Sequence, residues 1–281
     1  MARIGIVNPG EMGAGIGRSL VGRDHEVFWS SNGRSSSTTK RAEGAGLVAV
    51  GSLGALQERC PIVLSICPPH AALDVAREFV GYQGCYVDAN AISPGRAMEV
   101  RTLIESSGGR YVDGGIIGAP PGGSQPPRFY LSGHGASDIA ALFDFSDVRT
   151  KVISERPTAA SALKMSYASW TKGTSALLLA VLTLARVEDV EEELLAEWSV
   201  SGAELPELVR QAALSARSKG WRWAGEMDEI AASFRAAGLP EGFHKAAAEI
   251  YRRIPQEDED GSEGAGGIDV VESVVSALAE H

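Results

Sequence analysis

An alternation of two patterns constrains this chain more than any single motif. Short apolar runs occur at residues 3–7 (RIGIV), 26–30 (EVFWS), 47–50 (LVAV), 60–67 (CPIVLSIC), 85–90 (CYVDAN), 109–115 (GRYVDGG) and 128–133 (RFYLSG), with one more short run near 149–153. Segments of helical character lie between them at 13–22, 34–45, 52–59, 70–80 and 94–107. Brief apolar runs closed by Gly, Pro or Asn read as buried strands. Strands joined through helices need crossover connections, which build a mostly parallel sheet. None of the runs alternates cleanly between polar and apolar residues, as expected of strands covered by helices on both faces.

After residue 157 the pattern changes. Residues 158–186 form one long helical stretch with a single glycine, Gly173. Further helices are expected at 187–200, 204–219, 222–237 and 241–254, and no strand is expected among them. The chain therefore reads as an α/β protein: an N-terminal Rossmann-like, doubly wound sheet over residues 1–157, then an all-helical domain over 158–255. Residues 256–267 (QEDEDGSEGAGG) read as an acidic, glycine-rich linker, and the remainder to residue 281 as a short helix.

Composition removes several classes of function. The 281 residues carry a net charge of −10, and no run of Lys and Arg offers a nucleic acid a basic footprint. The longest apolar run, 176–185, is well short of the roughly 20 residues that cross a bilayer. Cys60, Cys67 and Cys85 form no CxxC pair, and the histidines at 25, 70, 134, 244 and 281 lack metal-ligand spacing. A cytoplasmic protein without a metal centre, acting on a small molecule, is the expectation.

The first candidate site follows the first strand. Asn8-Pro9-Gly10-Glu11-Met12-Gly13 joins that strand to a helix, so free amides and a helix N-terminus meet at the carboxyl end of the sheet. That arrangement favours a pyrophosphate. Gly10 leaves room for phosphates, Gly13 allows the helix to pack on the strand, and Asn8 replaces the usual first glycine with a residue that tolerates left-handed geometry. A purely structural turn is the alternative. The end of the second strand then selects the nucleotide. No acid lies between Glu26 and Glu43 to accept a ribose 2′-hydroxyl. Instead Asn32, Arg34 and Ser35 follow the strand, with Lys40 and Arg41 behind, a set suited to a 2′-phosphate. NADP is therefore expected over NAD, against the alternative of a solvated polar loop.

In order, IGIVNPGEMG, SNGRS, SICPP, VDANAISP, VDGGIIGAP and a lysine on a long helix resemble the β-hydroxyacid dehydrogenase superfamily. That group includes 3-hydroxyisobutyrate and 6-phosphogluconate dehydrogenases and imine reductases. The stretch RWAGEMDEIAASFRAAGLPEGFHKAAAEIY resembles the C-terminal domain of phosphogluconate-dehydrogenase-like bacterial proteins. The resemblance implies hydride transfer between a nicotinamide and a hydroxy acid or carbonyl, with a lysine as proton carrier. It also implies a homodimer formed through the helical domain.

Lys164 matches the position of that lysine. Ser161, Lys164, Ala168, Lys172 and Ser175 share one face of the long helix by their spacing. Lys172 reads as a surface charge or a substrate contact. Two departures from the family pattern matter. Ala168 stands where the family has Asn, and Ile117-Gly118-Ala119 replaces a Ser-Gly-Gly turn that holds a substrate carboxylate. Both point to a larger or less polar substrate. By resemblance, Cys67-Pro68-Pro69 contacts the adenosine side of the cofactor (a plain strand stop is the alternative), and Asn90 and Ser93 lie near the nicotinamide and substrate. His244 is a candidate substrate group or a structural histidine, and Trp221 and Trp223 read as packing or dimer contacts. The runner-up readings are an imine reductase and a non-catalytic NADP-binding protein.

Overall fold

A computed structural model describes residues 1–255 and 270–280 of the chain. Each apolar run becomes a strand: β1 (Arg3–Ile6), β2 (Glu26–Ser30), β3 (Val48–Val50), β4 (Ile62–Ser65), β5 (Cys85–Asp88), β6 (Arg110–Ile117), β7 (Arg128–Ser132) and β8 (Arg149–Ser154). They form one sheet in the order β3-β2-β1-β4-β5-β6-β7-β8. The first six strands are mutually parallel; β7 runs antiparallel to β6, and β8 runs parallel to β7. Chain order reverses at β1, which lies between β2 and β4. The crevice beyond the carboxyl ends of the strands at such a reversal is where α/β sheets hold ligands.

Side chains explain the missing polar alternation. Along β2, Val27 and Trp29 enter one buried cluster while Phe28 enters the cluster on the opposite face. Leu64 and Val63 of β4, and Val87 and Tyr86 of β5, divide in the same way. Both faces of the sheet are thus cores, and a strand buried on both sides has no place for an exposed polar row.

The helices of this half are α1 (Glu11–Val21), α2 (Ser36–Gly44), α3 (Leu53–Arg59), α4 (Ala72–Arg77), α5 (Pro94–Ser106) and α6 (Ala136–Ala141). Three begin on a serine whose hydroxyl accepts a first-turn amide: Ser35 from Thr38, Ser52 from Ala55 and Ser93 from Arg96. α6 was not expected from the sequence. Its six residues are too few to show a period, and it opens on Gly135 at φ 83.

The chain divides into two compact units, Met1–Met165 and Ser166 onward. The division falls inside α7 (Ala159–Val187), so the first turns of that helix belong to the sheet unit. The second unit holds the rest of α7 with α8 (Glu191–Ser201), α9 (Leu205–Ala236), α10 (Gly242–Arg253) and α11 (Val270–Ala279). α10 and α11 pack on α9, and Arg186 joins Glu191 and Glu272 in a shared ion pair. One expectation needs correction. The two helices expected at 204–219 and 222–237 are one continuous helix, α9. Gly220, which suggested a break, lies in its interior, where the carbonyl oxygen of Tyr251 on α10 sits 3.7 Å from the place a β-carbon would occupy. The expected linker at 256–267 lies outside the described residues, and the short terminal helix is α11. Among the described residues, no helix is long and apolar enough to cross a membrane.

Candidate active site at the carboxyl edge of the sheet

The turn after β1 is shaped by two glycines with opposite surroundings. A methyl group at Gly13 would lie 2.2 Å from the Asn8 carbonyl oxygen, so only glycine lets α1 start this close to the strand. At Gly10, nothing lies within 4 Å of such a methyl, so the turn is open above it. Gly10 is the N-cap of α1 and supplies no side-chain cap, with Glu11 in the first turn. Among the described residues no side chain caps the first-turn amides of α1, the kind of helix start that suits an anion. Pro9 is buried, Met12 is half-buried, and the side-chain oxygen of Asn8 is buried without a hydrogen-bond partner.

Beyond β2, Arg34 turns back toward this site. Its guanidinium donates to the Val7 carbonyl at 3.4 Å, at the end of β1, and its Nε is buried without a partner. Asn32 is exposed, and its backbone amide donates to Gly51 at 3.1 Å. The Ser35 hydroxyl caps α2 and lies 2.9 Å from the Ser37 hydroxyl and 3.0 Å from that of Thr38. Lys40 is exposed and Arg41 half-buried.

The ends of β4 and β5 are tied by Asn90. Its side-chain oxygen accepts the Cys67 amide at 2.6 Å, and its nitrogen donates to Asp88 at 2.7 Å and to the Ser65 hydroxyl at 3.1 Å. Asn90 therefore holds two edge loops together with its own side chain. Cys67 is half-buried, and desolvation pushes its thiol up to about 12, so it is no thiolate at neutral pH. Pro68 precedes a 3-10 turn over Pro69–Ala71. Ser93 is buried and caps α5.

The end of β6 meets the first turn of α7. Gly115 makes this possible: a methyl there would lie 2.8 Å from the Ala160 carbonyl oxygen and 3.2 Å from the Lys164 β-carbon. The Lys164 amine donates to the Ile116 carbonyl at 2.8 Å. The amine thus sits at the same carboxyl edge as the glycine turn. Ile117 is buried, whereas Gly118 (φ 117) and Ala119 are exposed.

Sequence reasoning missed the buried acids beneath this edge. Asp88 and Asp113 pair in register on β5 and β6 and are almost fully enclosed. Asp113 accepts the Ser161 amide at 2.9 Å, the Ser161 hydroxyl at 2.5 Å and the Ser132 hydroxyl at 2.8 Å. Ser132 in turn accepts the Ala160 amide at 2.9 Å. Burial raises both carboxyls above the usual range, and the hydrogen bonds each one accepts oppose this. The signal was present: an aspartate inside an apolar strand, in VDAN and again in VDGG, must find donors or lose its charge.

In the helical unit, Lys172 forms an ion pair with Glu226 and lies 5.5 Å above the Trp223 ring. His244 is buried against the rings of Phe234 and Phe243, at 4.1 and 5.1 Å, and its Nδ1 has no partner. Burial lowers its pKa, favouring the neutral ring. Ala168 is buried and Trp221 is exposed.

Residues 185–254 match a family described as a domain of unknown function, DUF1932. An uncharacterised 28.5 kDa protein of Methanothermus fervidus, from the 7S RNA 5′ region, is 31% identical over 194 residues, which span 69% of this chain and 74% of that protein. A solved conserved protein of unknown function, described as structurally similar to 3-hydroxyacid dehydrogenases, is 30% identical. Its TM-score is 0.67, with 89% of this chain and 96% of that one covered. The chain belongs to the β-hydroxyacid dehydrogenase superfamily. Its fold is shared by Mycobacterium tuberculosis 3-hydroxyisobutyrate dehydrogenase, solved with L-serine, at a TM-score of 0.68 and 17% identity over 98% of this chain and 99% of that one.

Proposed function

We propose that this superfamily member is an NADP-dependent oxidoreductase that uses Lys164 as general acid and base. The observation that carries this reading is the Lys164 amine, fixed on the Ile116 carbonyl at the edge where the β1 turn opens. The residues present suit a dinucleotide. The open space above Gly10 and the uncapped start of α1 would take the pyrophosphate. The unpaired Asn8 oxygen and Arg34 Nε supply an acceptor and a donor beside it. Arg34, with Asn32 and Ser35, would carry the 2′-phosphate.

A nicotinamide, when bound, gives or takes a hydride. The protein moves the accompanying proton. Lys164 accepts the hydroxyl proton as an alcohol carbon is oxidised, or returns one to the oxygen as a carbonyl is reduced. The Ile116 carbonyl accepts from Nζ and fixes the direction of the amine. Against the family pattern that the sequence resembles, Ile117 and Ala168 each replace a polar residue, which favours a bulkier, less polar substrate than a small 2-methyl-3-hydroxy acid. The same two residues favour imine reduction as the second reading, since a C=N substrate needs no carboxylate grip. His244 and Lys172 remain candidate substrate groups, and the working unit is a homodimer.

Steady-state turnover with NADPH against a panel of hydroxy acids, ketones and cyclic imines tests the proposal. Lys164→Ala should lower kcat by at least about 100-fold while NADPH affinity stays within about twofold. Arg34→Ala should weaken NADPH far more than NADH, and equal losses would remove the NADP assignment. NADPH binding without turnover on any panel member would leave a binding protein and overturn the enzyme reading.

A further inference from the structure

Asp113 and Ile116 stand three residues apart on β6; Ser161 and Lys164 stand three residues apart on α7. Each strand residue accepts from its helix counterpart: Asp113 from Ser161, and Ile116 from Lys164. The strand and the helix are therefore joined by two matched rungs. A strand rises roughly 10 Å over three residues and a helix about 4.5 Å. The long lysine side chain spans the difference, and Gly115 between the rungs lets the backbones close up.

The lower rung is the rigid one. Asp113, Ser132 and Ser161 are all buried, and Ser132 of β7 adds a third element by accepting the Ala160 amide while donating to Asp113. Two amides from the start of α7, which have no partner within the helix, end on this cluster. A carboxylate at a helix N-terminus also meets the positive end of its dipole. The upper rung is a single bond from a flexible amine. A flexible side chain points reproducibly only where its backbone is held, so the lower rung sets the upper one.

We propose that Asp113 is the positioning residue for Lys164, acting through Ser161 and Ser132 to fix the first turn of α7 against β6. This rests on the reading of Lys164 as the proton carrier, but the placement of the amine can be tested without turnover.

The test is reductive methylation of the full-length protein, followed residue by residue by mass spectrometry, with exposed Lys151 on β8 as internal reference. In Asp113→Asn, Lys164 should label at least about threefold faster relative to Lys151 than in the wild type, because the amine leaves the Ile116 carbonyl. Ser161→Ala, which keeps the backbone bond and perturbs the fold less, should give a smaller rise of the same sign. In parallel, kcat should fall at least about tenfold in Asp113→Asn with NADPH affinity unchanged. An unchanged Lys164 to Lys151 ratio in the folded variants would overturn the positioning role, whatever the turnover. If the wild type turns over no substrate but the ratio rises, the functional reading fails and the positioning role stands. Should Asp113→Asn not fold, the ratio in Ser161→Ala decides alone.

Discussion

The two buried aspartates are unequally supplied with donors. Asp113 takes a hydroxyl and an amide on one side and a second hydroxyl on the other. Asp88 takes the Asn90 amide at 3.1 Å and the Asn90 side chain at 2.7 Å on one oxygen, while its other oxygen faces the Tyr111 hydroxyl at 3.4 Å. With the Asp113 charge in register beside it, Asp88 is pushed up to about 7, chiefly by desolvation. An acid raised in the folded state binds a proton that the unfolded chain has released. Stability then falls as pH rises between about 4 and 7 and levels off above. The slope from one such group is at most about 1.4 kcal/mol per pH unit. Asp88→Asn keeps the acceptor for the Asn90 amide and removes the charge. Its Tm should therefore fall less than the wild type's between pH 5 and 8, with the gap widest at pH 8. Parallel curves in differential scanning fluorimetry would show that Asp88 is not the titrating group. These residues also mark the limit of what could be read from sequence. Lys164 could be singled out, rather than Lys172 on the same helix, because it matches the position of the lysine in the family the sequence resembles. Asp113 could not be assigned its partners, because Ser132 and Ser161 are distant in sequence and join it only once β6, β7 and α7 are assembled.

Elements were legible wherever they were long or sharply bounded. β1, β3, β4, β5 and β7 arise where apolar runs are closed by Asn8, Gly51, Pro68, Asn90 and Gly133, which stop a strand by local chemistry, whereas β6 runs on through Gly114 and Gly115 to Ile117. α6 was hidden by its brevity. The sequence alone divides α9, because glycine opposes a helix locally, whereas packing against α10 keeps the helix continuous through Gly220. Local propensity and tertiary contact thus compete along this helix, and the contest can be measured. Gly225 lies five residues further on, with nothing within 4 Å of the space a β-carbon would fill. Gly225→Ala should stabilise the protein by about 0.5–1 kcal/mol, since it lowers the entropy of the unfolded chain and meets no clash. Urea unfolding would show this as a higher midpoint at unchanged slope. A lower midpoint would mean that the outer face of α9 is not free to accept a side chain.

At the scale of the whole molecule, a largely apolar row on α7, interrupted by Thr174, is exposed or half-buried among the described residues. Tyr167, Trp170, Thr174, Leu177, Val181 and Leu184 follow one another at alternating steps of three and four residues, the repeat of a helix–helix seam. Trp170, Leu177 and Leu184 are 66%, 48% and 62% exposed, and the Tyr167 and Trp170 rings contact each other edge-on at 5.8 Å. Isolated apolar side chains on a surface need no explanation, but large ones repeating along one helical face mark a site of association. A second copy of the chain offers the same row, and a twofold axis would pair it with itself. A homodimer that buries this seam should have twice the chain mass in light scattering at micromolar concentration. Leu177→Glu places a charge in the middle of the seam while leaving the buried face of α7 intact. It should shift the equilibrium to monomer, with far-ultraviolet circular dichroism unchanged. If Leu177→Glu remains a dimer, the contact lies on another face, and exposed Trp221 and Leu214 of α9 are the next positions to charge.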